Sequence, residues 1–353
     1  MDVGPSEHDG HPTSNRTIPI RLPSGRVFRV GYVTIALVAL GLLIWWRHGS
    51  FTAIGTAFSD VRWEWVAVAI GFNLLSVVAR AGAWTTVIHS AMDPPRPKAM
   101  LVFSAFSVGL FANAVLPGRI GELARVGVLT RKMPERKGAW ATLVGTVFAH
   151  RVFDIVPVML LILYVSLTAT IPKSARDTLV VVSTIGICLF AVAYVSARRS
   201  GHQESEPLGQ IRRWLAMGRA GLHVMRSPAA TALAVFLQIF GWTCQLLAVY
   251  TAMRAFGIHA PLPAAGVVLL VMNVVTIIPF WPGNVGLVQV AIASALTAYG
   301  VPSATGVAYG FGLQAIEASV GIGVGLIFLA REGLSFAMLR VMPTADQAEV
   351  PQE

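Results

Sequence analysis

Pro117-Gly118-Arg119-Ile120-Gly121 and Pro282-Gly283-Asn284-Val285-Gly286 are the two stretches on which the fold of this chain turns. Each interrupts a long apolar run with residues that break a helix, and they stand 165 residues apart (282 − 117). Inside a bilayer a broken helix leaves backbone N–H and C=O groups without partners, which is costly unless protein or a wet cavity satisfies them. Gly/Pro-interrupted hydrophobic segments at corresponding places in two halves of a chain point to a transport site.

Composition agrees with a membrane setting. Of 353 residues, 55% are hydrophobic and only 12% charged, with a mean hydropathy of +0.67, whereas soluble domains carry about a quarter of charged residues. Apolar runs cover roughly 30–46, 65–90, 99–130, 139–168, 178–196, 229–254, 263–299 and 304–330, long enough to cross or enter a hydrocarbon core. Residues 1–29, rich in Pro, Gly, Ser, His and Arg, read as a disordered basic arm, and 333–353 as a tail. The net charge of +10 resides mostly in short loops between apolar runs, a pattern of membrane topology and of attraction to anionic lipid, so no nucleic-acid partner is expected. Cys188 and Cys244 lie inside apolar runs without metal-ligand spacing and read as small core residues. No phosphate loop, HExxH helix, nucleophile elbow or paired-cysteine site occurs, so no catalytic residue, cofactor or metal is assigned and ATP hydrolysis is not expected.

The basic residues orient the runs. Arg16, Arg21, Arg26 and Arg29 precede the first run; Arg96 and Lys98 follow the second; Arg131, Lys132, Arg136 and Lys137 follow the broken third. By the positive-inside rule all three groups are cytoplasmic. The third run then starts and ends on one side, as a re-entrant hairpin with its tip near Pro117. Arg198, Arg199, Arg212, Arg213, Arg219 and Arg226 place the loop after 178–196 inside as well. The second broken run must enter from the outside if Arg331 and Arg340 are to end inside, and the opposite face carries fewer cations, Arg47, Arg62, Lys173 and Arg176. The expected architecture is an all-α polytopic membrane protein of six spans plus two re-entrant broken-helix hairpins in an inverted repeat, with halves of about 65–168 and 229–330 and both termini cytoplasmic. Eight full spans are the alternative. Within the linker 197–228, residues 208–226 form an amphipathic helix that either lies in the lipid interface or packs on the bundle.

Ionisable groups in spans mark functional sites by default, because charge at mid-bilayer needs a partner or a watery cavity. Arg80, His150, Arg151, Asp154 and Glu317 all lie in apolar runs. Arg80 and Gln245 each stand 37 residues before their proline; Asp154 stands 37 and Glu317 35 residues after theirs. Arg151 and Asp154, at i and i+3, can pair on one helix face. Around the first break stand Asn113, Pro117, Gly118, Arg119, Gly121 and Glu122. A half-helix starting at Pro117 turns its positive end toward an anion, to which Arg119 adds a bidentate fork. Arg119, Glu122 and Arg125, three residues apart, can instead form a salt-bridge ladder, the role expected for Arg125. Around the second break, Pro282 and Gly283 are followed by Asn284, which offers hydrogen bonds in place of charge. Gln289 is expected to hold two helices together.

Leu116-Pro117-Gly118-Arg119-Ile120-Gly121-Glu122-Leu123-Ala124-Arg125 resembles the LPGRxGELxR signature of the lysylphosphatidylglycerol synthase transmembrane, or flippase-like, family. Arg80, Ala81 and Trp84 are similar to its RAxxW pattern. Arg151 and Asp154 are similar to its ERxxD motif, with His150 in place of Glu; Pro282 to Gly286 is similar to PGGxG, with Asn284 in place of Gly. The resemblance covers roughly 30–332. It implies an integral plasma-membrane domain that moves lipids between leaflets. About 20 residues follow the last run, too few for the soluble aminoacyl-transferase domain of larger members, so lysyl-lipid synthesis by this chain alone is not expected. The function expected is translocation of an anionic phospholipid or lipid-linked intermediate by alternating access. Its partners would be membrane lipids, with a partner enzyme or a second copy of the chain as candidates. A membrane-embedded lipid-modifying enzyme and a small-solute or ion transporter are the alternatives.

Overall fold

A computed structural model describes residues 48–115, 120–133, 139–170, 173–199, 227–277 and 284–331. The first apolar run, Pro117, Gly118 and Arg119 of the first break, the amphipathic stretch 208–226, Pro282 and Gly283 of the second break, and the tail lie outside the described residues. The chain divides into two compact units, residues 1–51 and 52–353, and only the opening turn of α1 is described in the first.

Ten helices are described: α1 (His48–Ser59), α2 (Trp63–Ala91), α3 (Ala99–Val115), α4 (Gly121–Arg131), α5 (Ala139–Thr168), α6 (Lys173–Arg199), α7 (Pro228–Ala255), α8 (Leu262–Val275), α9 (Leu287–Thr297) and α10 (Ser303–Arg331). No strand occurs among the described residues. Helices α2, α5, α7 and α10 are long and apolar enough to cross a membrane; α3, α8, α9 and the Leu179–Val192 part of α6 are shorter apolar helices. The molecule is therefore an all-α membrane protein. Helix α1 was not expected: at 12 residues it is about 18 Å long, too short to read as a span. Hydroxyls inside the apolar helices bond back to the carbonyl four residues earlier, as Thr85 does to Ala81 (2.8 Å) and Ser107 to Phe103 (2.8 Å), which satisfies them away from water. Helix α7 starts at Ser227, whose Oγ accepts from Ala230 N–H, with Pro228 in the first turn. Cys244 is buried, as a core residue should be, whereas Cys188 is exposed on α6 and is not part of the core.

Helices α3 and α4 pack antiparallel, Gly109 meeting both Gly121 and Arg125 while Asn113 meets Gly121, and α8 and α9 pack on each other as a second hairpin. In the first, Gly121 N–H donates to Asn113 Oδ1 at 2.8 Å. The arms touch through glycine: a Cβ on Gly121 would lie 2.0 Å from Gly109 O. In the second, Asn284 adopts φ 44° and its Nδ2 donates to Val275 O at 2.9 Å. Asn is among the few side chains that enter this left-handed region readily.

The packing has two-fold symmetry. Exchanging α2 with α7, α3 with α8, α4 with α9 and α5 with α10 carries each packed pair of these helices onto another packed pair. Helices α2 and α7 run antiparallel at the centre: Gly82 faces Leu237, Gly241 faces Arg80 and Ala79, and Arg62 N–H donates to Ala255 O at 2.9 Å. The axis relating them is perpendicular to both. The halves also interlock. One core joins the first hairpin to Val320, Phe328 and Leu329 of α10, and the other joins the second hairpin to Leu161, Ile162 and Val165 of α5.

Candidate functional site

Between these two cores lies a cavity of about 600 Å³, to which both hairpins and α2, α5, α7 and α10 contribute. Its first-half wall is ionic. Asp154, on α5, accepts from Arg151 Nη1 at 3.2 Å and lies 3.6 Å from Arg80 Nη2. Trp242 Nε1 and Gln238 Nε2, both from α7, each donate to Asp154 Oδ1 at 3.0 Å. Three hydrogen-bond donors and the charge of Arg80 thus hold one carboxylate, which is how an intramembrane charge is retained. Arg151 also reaches α4, where Glu122 Oε1 accepts from its Nε at 2.7 Å and from its Nη2. His150 Nε2 lies 3.1 Å from the Arg80 carbonyl and behind the wall meets Gln238.

The second-half wall answers with amides. Gln245 Nε2 donates to Glu317 Oε1 at 2.8 Å, joining α7 to α10 as the Arg80–Asp154 pair joins α2 to α5. Gln289 Nε2 donates to Gln314 Oε1 at 2.6 Å, joining α9 to α10 as Glu122–Arg151 joins α4 to α5. Two of the three ionic pairs on the first-half wall thus have an amide-bearing counterpart in the second; the Arg151–Asp154 pair has none among the described residues.

Arg125 departs from its expected role. Glu122, its expected ladder partner, is spent on Arg151. The Arg125 guanidinium, only 5% exposed, lies instead 4.5 Å from the Trp84 ring centre and 5.4 Å from that of Phe106, a cation–π arrangement. Its Nε and Nη2 have no hydrogen-bond partner among the described residues. Trp84 is held in turn by Nε1–H donation to Thr146 Oγ1 at 3.1 Å. Ser76 Oγ, Arg80 Nε and His150 Nδ1, on the same cavity wall, are likewise buried without partners among the described residues. Buried polar atoms rarely stay unpaired, so a cluster of them around one cavity marks where a polar occupant belongs.

The chain matches the family described as Lysylphosphatidylglycerol synthase TM region over residues 32–325. It belongs to that family. Among curated proteins it is similar to an UPF0104 membrane protein of Methanocaldococcus jannaschii, 25% identical over 190 residues, a match spanning 52% of this chain and 77% of that one. It is also similar to an UPF0104 membrane protein of Pyrococcus horikoshii, 24% identical over 160 residues, spanning 45% of this chain and 46% of that one. No solved structure matches the chain.

In this family member the expected site residues divide into three groups. Arg80, Asn113, Gly121, Glu122, Arg151 and Glu317 line the cavity, with Asp154 bonded directly behind them. Asn284 is buried at 2% exposure, and its Nδ2 closes the second hairpin rather than facing the cavity. Pro117, Gly118, Arg119, Pro282 and Gly283 lie outside the described residues. Sequence spacing missed Arg125, Trp84, Gln238 and Trp242. The RAxxW and LPGRxGELxR patterns do contain Trp84 and Arg125, so the motifs held a signal that helical periodicity did not.

Proposed function

We propose that this chain moves an anionic phospholipid or lipid-linked phosphate between the leaflets of the plasma membrane by alternating access. Both hairpins are re-entrant in this scheme, entering from opposite leaflets, and both termini are cytoplasmic. Arms of 17, 11, 14 and 11 residues support re-entrance, since the shortest are about 16 Å long against a hydrocarbon core of about 30 Å. The observation that carries the proposal is the cavity wall: Arg125 Nε and Nη2, Arg80 Nε, Ser76 Oγ and His150 Nδ1 are buried and unpartnered among the described residues. The same cavity is lined by the exposed apolar residues Val285 and Phe311. An occupant that satisfies both features is amphiphilic, with an anionic headgroup on the guanidinium groups and acyl chains left in the bilayer. Pro117, Gly118, Arg119, Pro282 and Gly283 lie outside the described residues, and Arg119 enters the reading only as the charge expected from the sequence; Asn284 closes the second hairpin. Asp154 and Glu122 keep Arg80 and Arg151 in position.

The test is reconstitution of the purified chain in vesicles containing a trace of fluorescent phosphatidylglycerol, with dithionite bleaching to report the outer-leaflet fraction. The wild-type chain makes the inner-leaflet probe accessible, and Arg125→Gln and Arg119→Ala each abolish that accessibility while the protein stays folded. Unchanged movement in both variants removes the headgroup cradle. Product formation from a donor substrate without lipid movement would favour an enzyme.

A further inference from the structure

The two halves treat their equivalent carboxylates differently. Asp154 is surrounded by Arg80, Arg151, Trp242 and Gln238. Glu317, its two-fold counterpart on α10, accepts one hydrogen bond, 2.8 Å from the neutral amide of Gln245, and forms no ion pair among the described residues. A lone carboxylate in a span is costly as an anion and must be neutralised by a proton or a cation. Few charges face it. Of the helices packed on α10, α3 and α9 contain no charged residue; α7 presents Gln245, and α2 presents Arg80. On α10 itself the nearest titratable group is Tyr309, two turns earlier, whose hydroxyl donates to Val249 O at 3.0 Å.

Arg80 is the more loosely held of the two cations on Asp154, with its guanidinium carbon 5.7 Å from the Trp242 ring centre. Its contact with Asp154 is the longest of that cluster, at 3.6 Å, and its Nε is unpartnered. Losing Arg80 would still leave Asp154 with Arg151 Nη1 at 3.2 Å and the Trp242 and Gln238 donors at 3.0 Å. The stem of Arg80 crosses Gly241 next to the two-fold axis, where a Cβ would lie 2.8 Å from Arg80 Cγ, so no side chain of α7 bars its path at that point.

We propose that Glu317 is a proton-binding site coupled to Arg80. With Arg80 on Asp154, Glu317 holds a proton and donates or accepts with Gln245. When the proton leaves to water in the cavity, the Glu317 carboxylate draws Arg80 across the axis, and Arg151 alone balances Asp154. One proton is exchanged for one displaced guanidinium, and the cavity's total charge outside the ligand falls by one. The coupling of this exchange to lipid movement rests on the translocase reading; the proton site does not.

The experiment is infrared difference spectroscopy of the purified full chain in phosphatidylglycerol bilayers across a pH titration, read at the protonated-carboxyl C=O stretch. Wild type and Asp154→Asn show a titrating band that Glu317→Gln lacks. Should Glu317→Gln fail to fold, Gln245→Leu retains the acid and moves the band to the position of a carboxyl without an amide partner. In vesicles with an imposed pH gradient, the wild-type lipid-movement rate responds to the gradient and the Glu317→Gln rate does not. A band lost in Glu317→Gln without lipid movement in wild type upholds the proton site and removes the translocase reading. A titrating band that persists unchanged in Glu317→Gln, or no such band in wild type, overturns the proposal.

Discussion

Arg125 and Asp154 show how far one side chain's surroundings decide what a membrane cavity can hold. Arg125 is fixed by flat contacts to Trp84 and Phe106, which a guanidinium makes and an ammonium does not. Arg125→Lys keeps the charge and loses the stacking, so lipid movement should fall about tenfold, the factor set by ~1.4 kcal/mol; the dithionite assay measures it. Asp154 balances two guanidinium groups, and Asp154→Ala leaves Arg80 without its carboxylate and the Trp242 and Gln238 donors without an acceptor, while the more exposed Arg151 keeps Glu122. The expected cost is about 1–3 kcal/mol, read as a lowered thermal midpoint of the detergent-solubilised protein. A smaller loss in Asp154→Asn separates lost charge from lost hydrogen bonds. Spacing along the chain located Arg80, Arg151, Asp154 and Glu317 because polar residues in spans are rare enough to stand out. It could not see Gln238 and Trp242, which reach Asp154 from a helix more than 80 positions away. Nor could it place Arg125, since i, i+3 arithmetic compares a residue only with its own helix, and the aromatic faces that hold Arg125 belong to α2 and α3.

At the scale of single elements, the first hairpin depends on the absence of one atom. Gly121 allows α4 to approach Gly109 O so closely that an added Cβ would lie 2.0 Å from it and 2.6 Å from the Asn113 amide that closes the turn. Gly121→Ala must push the arms apart, at a cost of about 1–3 kcal/mol or more. Gly71, in the middle of α2 with nothing within 4 Å of its Cβ position, is the control: Gly71→Ala should be neutral or up to about 1 kcal/mol stabilising, because Ala is the better helix former. Thermal unfolding of the two variants side by side tests the hairpin contact, and equal midpoints would refute it. The long helices were legible because an uninterrupted apolar run of span length permits little else, and the runs at 65–90, 139–168, 229–254 and 304–330 each contain one. The register of the hairpin arms was not, because it is set by glycine-to-backbone contact and by the Asn113 and Asn284 amides, which leave no periodic trace.

For the whole molecule, the two-fold packing and the distribution of charge make one joint demand on topology. Antiparallel arms put Lys98, just before α3, and Lys132, just after α4, at one end of the bundle. The same logic puts His259 before α8 and Ala298 after α9 together. Because α2 and α7 are antiparallel and exchanged by the axis, the second pair belongs at the opposite end from the first. Charge agrees: Arg96, Lys98, Arg131 and Lys132 cluster at the first end, while 257–261 and 298–302 carry no Lys or Arg and the nearest cations are Arg254 and Arg62, the asymmetry that orients a chain with its more basic end in the cytoplasm. With Cys188 and Cys244 replaced by Ala, single cysteines at 98, 132, 259 and 298 should therefore sort in pairs. An impermeant maleimide added to intact cells labels 259 and 298; added to inverted vesicles it labels 98 and 132. Labelling of 98 and 132 from different sides would make α3 and α4 together a membrane crossing and would overturn the re-entrant arrangement proposed for them.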